Sequence, residues 1–201
     1  MIEVEAIPEP YIAYLDIETT GLNPARGEIT VIGICLEHGH HQTVIQLLGD
    51  DISYAGLLKT IGNVHILYTY NGTRFDLPYI RTRLGIDLTE YCHHIDLMYE
   101  CWRRKLYGGL KRVEKQLNIK RKLREIDGRM AVTLWYDYKF YGDQQAMDTL
   151  LEYNKEDVLN LKLIRERLQM GRTNFLVKIG VSKQSSDFKG IEEVCSPHMW
   201  G

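Results

Sequence analysis

The chain has 201 residues, 44% of them hydrophobic and 26% charged, with a formal net charge of −2. That length suits one domain with its own core, and no apolar run approaches the roughly 20 residues of a membrane helix, so no membrane association is expected. The acidic N-terminus MIEVEAIPEP lacks a signal-peptide core and the four cysteines (Cys35, Cys92, Cys101, Cys195) form no CxxC pair, which predicts neither a disulfide framework nor a zinc knuckle and points to a reducing, cytoplasmic setting.

In chain order, YIAYLDI reads as a first strand and ITVIGICLEHG as a second, with Gly33 inside it. HHQTVIQLLG is a third, whose alternation puts Thr43, Ile45 and Leu47 on one face. GDDISYAGLLKTIG reads as a helix capped by Asp50, Asp51 or Ser53 and stopped at Gly62. VHILYTYN is a buried fourth strand that delivers Asn71-Gly72, and TRFDLPYIRTRLG is a helix with Pro78 in its first turn. ECWRRKL and GLKRVEKQLNI are further helices, whereas the aromatic-rich EIDGRMAVTLWYDYKFYGD carries no readable period. Residues 145–169 form a long helix with Met147, Leu150, Leu151, Val158, Leu161, Ile164 and Leu168 in one stripe. Past Gly171 the pattern weakens, and NFLVKIGV reads as one more strand before a loose tail. The expected layout is one domain over residues 1–170 and a C-terminal extension over 171–201. The order of elements predicts an α/β fold, a mixed sheet with helices on both faces.

Charge is unevenly spread. Residues 103–124 hold ten basic residues against one acid, Glu114, so this segment carries +9 and the rest of the chain −11. A basic block on an acidic protein predicts a polyanion on one face. The competing reading is a solvated helix face.

Three segments place acids where a strand or helix would bury them. In YLDIETTGLN, strand alternation points Asp16 and Glu18 to one side, shared with Tyr14, while Leu15 and Ile17 face the other. Paired buried carboxylates repel unless a cation lies between them; otherwise the strand ends at Leu15 and both acids are solvated. In YNGTRFDLPYI, Asp76 opens a helix beside Asn71 and Phe75; it is either an N-cap or a functional acid. In YNKEDVLNL, Asp157 falls inside the apolar stripe of the long helix, seven residues after Leu150 and four before Leu161, with Tyr153 one turn earlier. Glu152, Lys155, Glu156, Lys162 and Glu166 are left to carry the solvent-facing charge. The pairs His40-His41 and His93-His94 are read as structural, since neighbours on a strand or loop rarely converge on one ion.

The succession DIE, NGxxFD, YxxxD resembles the three motifs of the DEDD 3′→5′ exonuclease superfamily, over about residues 11–168. Tyr153, four residues before Asp157, matches the tyrosine subgroup; the histidine subgroup has its His at the position of Glu152. The similarity extends to family-B DNA polymerase proofreading domains and to stand-alone ribonuclease H-like exonuclease domains. HIDLMYE followed by GLKRVEKQL also looks like that group, although no metal role is given to Asp96.

The resemblance implies a ribonuclease H-like fold with a five-stranded sheet. It implies two Mg²⁺ or Mn²⁺ ions, with Asp16 bridging them, Glu18 and Asp157 on the first, and Asp76 on the second mainly through water. Tyr153 would orient the attacking water. The substrate would be the 3′ end of single-stranded DNA or RNA, DNA slightly favoured, with a repair or replication protein as a possible partner. Thr19, Gly21 and Leu22 would meet the terminal nucleotide, Gly21 by letting the chain turn, and Asn71 and Phe75 would flank it. Lys111 and Arg112, with the rest of the basic segment, would grip backbone phosphates. Tyr70, Phe75, Tyr136 and Tyr141 are candidate stacking surfaces. The alternatives are a catalytically silent nucleic-acid-binding subunit and a ribonuclease H-like endonuclease.

Overall fold

The computed structural model describes residues 11–178, with side chains through residue 169. Three segments rich in β-branched residues, β1 (Tyr11–Thr19), β2 (Ile29–His38) and β3 (His41–Leu47), pair as an antiparallel meander. The helix α1 (Tyr54–Ile61) follows, capped by Ser53, whose hydroxyl accepts from the Gly56 N–H. It leads to β4 (Val64–Thr69), which runs parallel to β1 on its other edge. After α2 (Asp76–Leu84), the short β5 (His93–Asp96) joins parallel to β4. The sheet order is β3-β2-β1-β4-β5, with β1 at the centre. Four helices complete the fold: α3 (Leu97–Trp102), α4 (Leu110–Gln116), α5 (Gly128–Tyr141) and α6 (Gln144–Lys178).

Strand alternation divides the core. Ala13, Leu15 and Ile17 of β1 pack with Ile32, Ile34 and Leu67 against Leu57 of α1 and Tyr79 and Ile80 of α2. Ile12 and Tyr14 face the opposite way, against Leu97, Val113, Val158, Leu161 and Ile164 of α3, α4 and α6. The expected α/β sandwich, five strands with helices on both faces, is therefore present. It places Asp16 and Glu18 on the α6 side. A polar knot holds α6 there: Tyr14 Oη donates to Glu37 Oε2 at 3.0 Å and accepts from Arg165, whose Nη1 lies 3.5 Å from Glu37 Oε1.

Three elements depart from the sequence expectation. β5 is only four residues long, too short to show alternation. α5 turns one face, Ala131, Leu134, Trp135 and Tyr138, to the core, a spacing masked in the sequence by Tyr136, Phe140 and Tyr141 on its exposed side; Asp127 caps it and Gly142, at φ 69°, ends it. α6 continues through Gly171 to Lys178, so 170/171 is not a break in secondary structure and 174–178 are helical rather than extended. A glycine costs a helix interior about 1 kcal/mol relative to alanine, too little to stop one already propagating. Residues 179–201, the rest of the expected extension, lie outside the described residues. No helix among the described residues is long and apolar enough to cross a membrane.

Candidate active site

The acids of the first and third motifs meet at the carboxyl end of β1. Carboxylate oxygens of Asp16, Glu18 and Asp157 all lie within 4.8 Å of one another. β1 supplies two of them from one face, and a register shift between Glu18 and Thr19 ends its regular pairing there. α6 supplies the third from its buried side. Asp76 is not one of the three. The β1–β4 ladder stops at Tyr14, and the Ile17 N–H beyond it donates to Asp76 Oδ1 at 3.1 Å. The N-cap alternative for Asp76 is thus replaced by a bridge from α2 to β1, which brings its charge up to Asp16 and Glu18.

Electrostatics make this cluster costly without a cation. Burial pushes Asp16 up to about 7; the Asn154 amide and the Arg121 guanidinium pull it down, and Glu114 pushes it up. Burial also raises Glu18 well above the carboxylate range, reinforced by the charges of Asp16 and Asp76. Asp76 is raised in the same way, by burial and then by Asp16. Oxygen donors at this spacing, with this unmet negative charge, fit Mg²⁺ or Mn²⁺.

Several groups that hold the acids carry no signal in the motifs. Asn154 Nδ2 donates to Asp16 Oδ2 at 3.2 Å, while Asn154 Oδ1 accepts from Gln46 Nε2 at 3.1 Å. Asn154 lies three residues before Asp157, on the same helix face, which is the one trace it leaves in the sequence. Arg121 donates from Nε and Nη2 to Glu114 at 3.0 Å each, and from Nη2 to Asp157. Arg121 is 8% exposed, so it leaves the solvent-facing basic block in which its sequence neighbours placed it. Glu114, the lone acid of that block, is its buried partner. Glu156 likewise turns inward: its carboxylate accepts from the N–H groups of Lys122 and Leu123 and pins the α4–α5 loop.

Tyr153 is 7% exposed, and burial together with Glu18 and Asp16 raises its phenol well above the ordinary tyrosine value. The phenol is therefore held in its protonated form. Lys111 Nζ lies 4.9 Å and the Arg121 guanidinium carbon 5.4 Å from its ring centre. The acids open into a cleft of about 580 Å³. Its walls include Thr19, Gly21, Leu22 and Phe75 on one side and Gly128, Arg129 and Val132 from the start of α5 on the other. A larger open depression of about 970 Å³ lies at the opposite strand ends, against Tyr11, Val64 and His93, away from the three acids.

The remaining predicted residues divide. Leu22 is 86% exposed at the cleft mouth, and Phe75 packs on Tyr79 with ring centres 5.5 Å apart. Gly21 is not in a left-handed conformation, and a Cβ there would meet nothing within 4 Å, so the turn does not require glycine. Its carbonyl is the working group, accepting from Thr19 Oγ1 and Tyr79 Oη at 3.0 Å each. Asn71 is not among the residues lining the cleft. It takes φ 63° in the turn behind Phe75, its N–H donating to Asp96 Oδ1 at 2.8 Å. Asp96 is that turn's organiser, its other oxygen accepting from the Thr73 N–H at 3.1 Å. Tyr70 packs in the core with its hydroxyl donated to the Gly108 carbonyl, Tyr136 stacks on Phe140, and Tyr141 is exposed; none of the three lines the cleft. Arg112 is exposed on α4 and packs its aliphatic stem over Gly108. His94 pairs with Thr69 Oγ1 at 2.8 Å, a structural contact.

A central strand bearing paired acids, met by an acid from a late helix across a mixed five-stranded sheet, defines a nuclease-like ribonuclease H fold. The chain belongs to the RNase H superfamily, whose family model matches residues 13–169. The ribonuclease H-like part of the motif resemblance is borne out at that level, and solved structures share the fold. Brucella melitensis NrnC, solved bound to pGG, superposes with a TM-score of 0.56 at 22% identity, covering 86% of this chain and 76% of that one. The same protein solved with bound Mg²⁺ gives 0.55 at 22% identity, with the same coverage. The uncharacterized protein YprB of Bacillus subtilis (strain 168) is 29% identical over 164 residues, covering 74% of this chain; the chain spans 39% of the length of that curated relative.

Proposed function

We propose that this chain is a metal-dependent 3′→5′ exonuclease that removes nucleotides from the 3′ end of single-stranded nucleic acid, DNA ahead of RNA, in the cytoplasm. The observation that carries the reading is the convergence of Asp16, Glu18 and Asp157 within 4.8 Å, with Tyr153 beside them. Asp16, Glu18 and Asp157, with Asp76 behind, would hold two divalent ions. Bound there, the ions supply Lewis-acid polarisation of the phosphodiester and activation of the attacking water.

The chain's own groups do the rest. The protonated Tyr153 phenol donates to the attacking water and fixes its line of approach. Asn154 keeps Asp16 turned toward Asp157. Leu22 and Phe75 flank the terminal nucleotide with apolar surface and suit an unpaired end, whose base is free to lie between them. Thr19 and the Gly21 carbonyl shape the floor of the loop. Lys111, Arg112 and the exposed lysines and arginines of the α4 region follow the backbone phosphates without reading sequence. The 3′→5′ direction rests on the motif resemblance, as does the second ion.

The test uses single-stranded DNA and RNA of one sequence, labelled at the 5′ end, with Mg²⁺, Mn²⁺ or EDTA. A ladder shortening from the 3′ end, dependent on metal and absent for Asp16→Ala, is the expected result. Discrete internal cuts would replace the exonuclease by an endonuclease. Binding without cleavage under any metal would leave a silent nucleic-acid-binding subunit, for which a repair or replication protein is the natural partner class.

A further inference from the structure

Among the described residues, Arg121 is the one cation placed directly on the acidic cluster, and its surroundings are unusual for a structural ion pair. Glu114 holds it with both oxygens, one to Nε and one to Nη2, each at 3.0 Å. Glu114 is itself 2% exposed and is oriented by Asn160, whose Nδ2 donates to Glu114 Oε1 at 2.9 Å. Arg121 therefore has a complete bidentate seat that does not need Asp157. Asp157 is reached by the same Nη2 as a second, shared acceptor. Glu156 stands farther off, 4.0 Å from Nε. The remaining nitrogen, Nη1, is buried with no hydrogen-bond partner. A finished structural salt bridge would satisfy that donor, since a buried unpaired N–H is costly. The guanidinium is thus a charge parked between a permanent acceptor, Glu114, and a releasable one, Asp157.

We propose that the Glu114–Arg121 pair is a built-in counter-ion of Asp157, and that a divalent cation enters this cluster by exchange, taking Asp157 from Arg121 while Arg121 stays seated on Glu114. The inference rests on the metal-binding reading of the cluster. Arg121 is a positioning residue here: it neutralises Asp157 and keeps the carboxylate aimed at Asp16 and Glu18 while no metal neutralises it. The arrangement sets a threshold for metal, because the ion that takes Asp157 must break the Arg121 contact and bind beside a resident positive charge.

The exchange predicts shifts of opposite sign in two variants. At fixed pH, Mn²⁺ binding to the full chain is measured by titration calorimetry after removal of metal by EDTA and dialysis. Arg121→Gln removes the competitor and should bind Mn²⁺ roughly tenfold tighter, a modest fraction of the full Coulomb effect of one charge at contact. Glu114→Gln leaves the Arg121 charge wholly on Asp157 and should bind roughly tenfold more weakly. Arg121→Lys keeps the charge and should stay near the wild type. In an Asp157→Asn background, Arg121→Gln should tighten binding by clearly less than tenfold, because the contact effect runs through Asp157 and only the longer-range charge on Asp16 and Glu18 remains. Melting in EDTA verifies that each variant is folded, and Arg121→Lys and the Asp157→Asn pair decide the matter where Glu114→Gln does not fold.

A purely structural salt bridge gives shifts of the same sign, weaker or none, in Arg121→Gln and Glu114→Gln, and that result overturns the exchange. Mn²⁺ binding with the predicted signs but no cleavage of any strand would retain the exchange and sink the exonuclease. A wild type that binds no Mn²⁺ would remove both.

Discussion

Asp16 and Gly33 are cross-strand partners in β1 and β2, and the missing side chain at Gly33 is the space through which Asn154 reaches Asp16. A Cβ on residue 33 would lie 2.1 Å from Asn154 Oδ1. Asn154 is fully buried and bonded on both sides, so it has nowhere to retreat. A glycine inside a strand usually weakens it; here it makes room for the amide that holds Asp16.

Gly33→Ala should therefore cost about 1–3 kcal/mol, the range for overpacking a filled core. Chemical denaturation measures it. Because both changes act on one contact, Gly33→Ala with Asn154→Ala should cost less than the two separate losses added together. Additive losses would show that Gly33 is needed for some other reason.

The raised carboxylates predict how the metal-free protein responds to pH. A carboxylate whose folded pKa is raised binds more protons when folded than when unfolded, so its contribution to stability falls as pH climbs from the unfolded value toward the folded one. For Asp16 that window runs from about 4 to about 7, and Glu18 and Asp76 extend it upward. In EDTA the melting temperature should fall between pH 6.5 and 8; the lowered His94, half protonated in the unfolded chain at pH 6.5, adds a small opposing gain confined to the bottom of that range. Asp16→Asn should melt higher than the wild type in EDTA at pH 8, and Mg²⁺ should narrow or reverse that gap. A wild type that gains stability across this range would argue against mutual repulsion in the cluster.

Tyr153→Phe separates water positioning from architecture. The ring, its burial and its two cationic neighbours persist, and the hydroxyl is lost, with its donated proton and its contact to Arg121. Cleavage should slow on the order of 10²-fold, at the lower end of proton-donor effects, with Mn²⁺ affinity unchanged. Burial keeps the phenol protonated, so the wild-type rate should show no inflection between pH 8 and 10 that the Phe variant lacks. Such an inflection would instead make Tyr153 a base.

Exposed cations of the α4 region should appear in the salt dependence of binding. Lys115, Lys120 and Arg124 are exposed around a depression beside Lys111 and Arg121. Replacing each by Gln should weaken binding of a fluorescent single strand, measured by anisotropy in EDTA, whatever its sequence. The slope of log affinity against log salt should drop by about 0.7 for each phosphate contact removed. Unchanged slopes in all three would move the phosphate track to another face.

The local pattern of residues was enough to reveal the acids and their order. Strand alternation put Asp16 and Glu18 on one side, the apolar stripe of α6 marked Asp157 as a charge on a buried face, and the shared turn put Tyr153 beside it. These are properties of neighbours within one element, where the period of the backbone settles direction. Whether Asp76 capped its helix or faced the cluster depended on where β4 stops against β1, a matter of strand pairing that no local pattern contains. The same holds for Arg121, which reads as one more charge in a basic run until Glu114, Asn160 and Asp157, distant in sequence, enclose it. Gly33 and Asn154 are each unremarkable along the chain, and only the packing of α6 across β1 and β2 gives them one purpose. Periodicity determines which way a side chain points, and tertiary packing decides what it meets there, because burial and charge pairing are set by groups far apart in sequence.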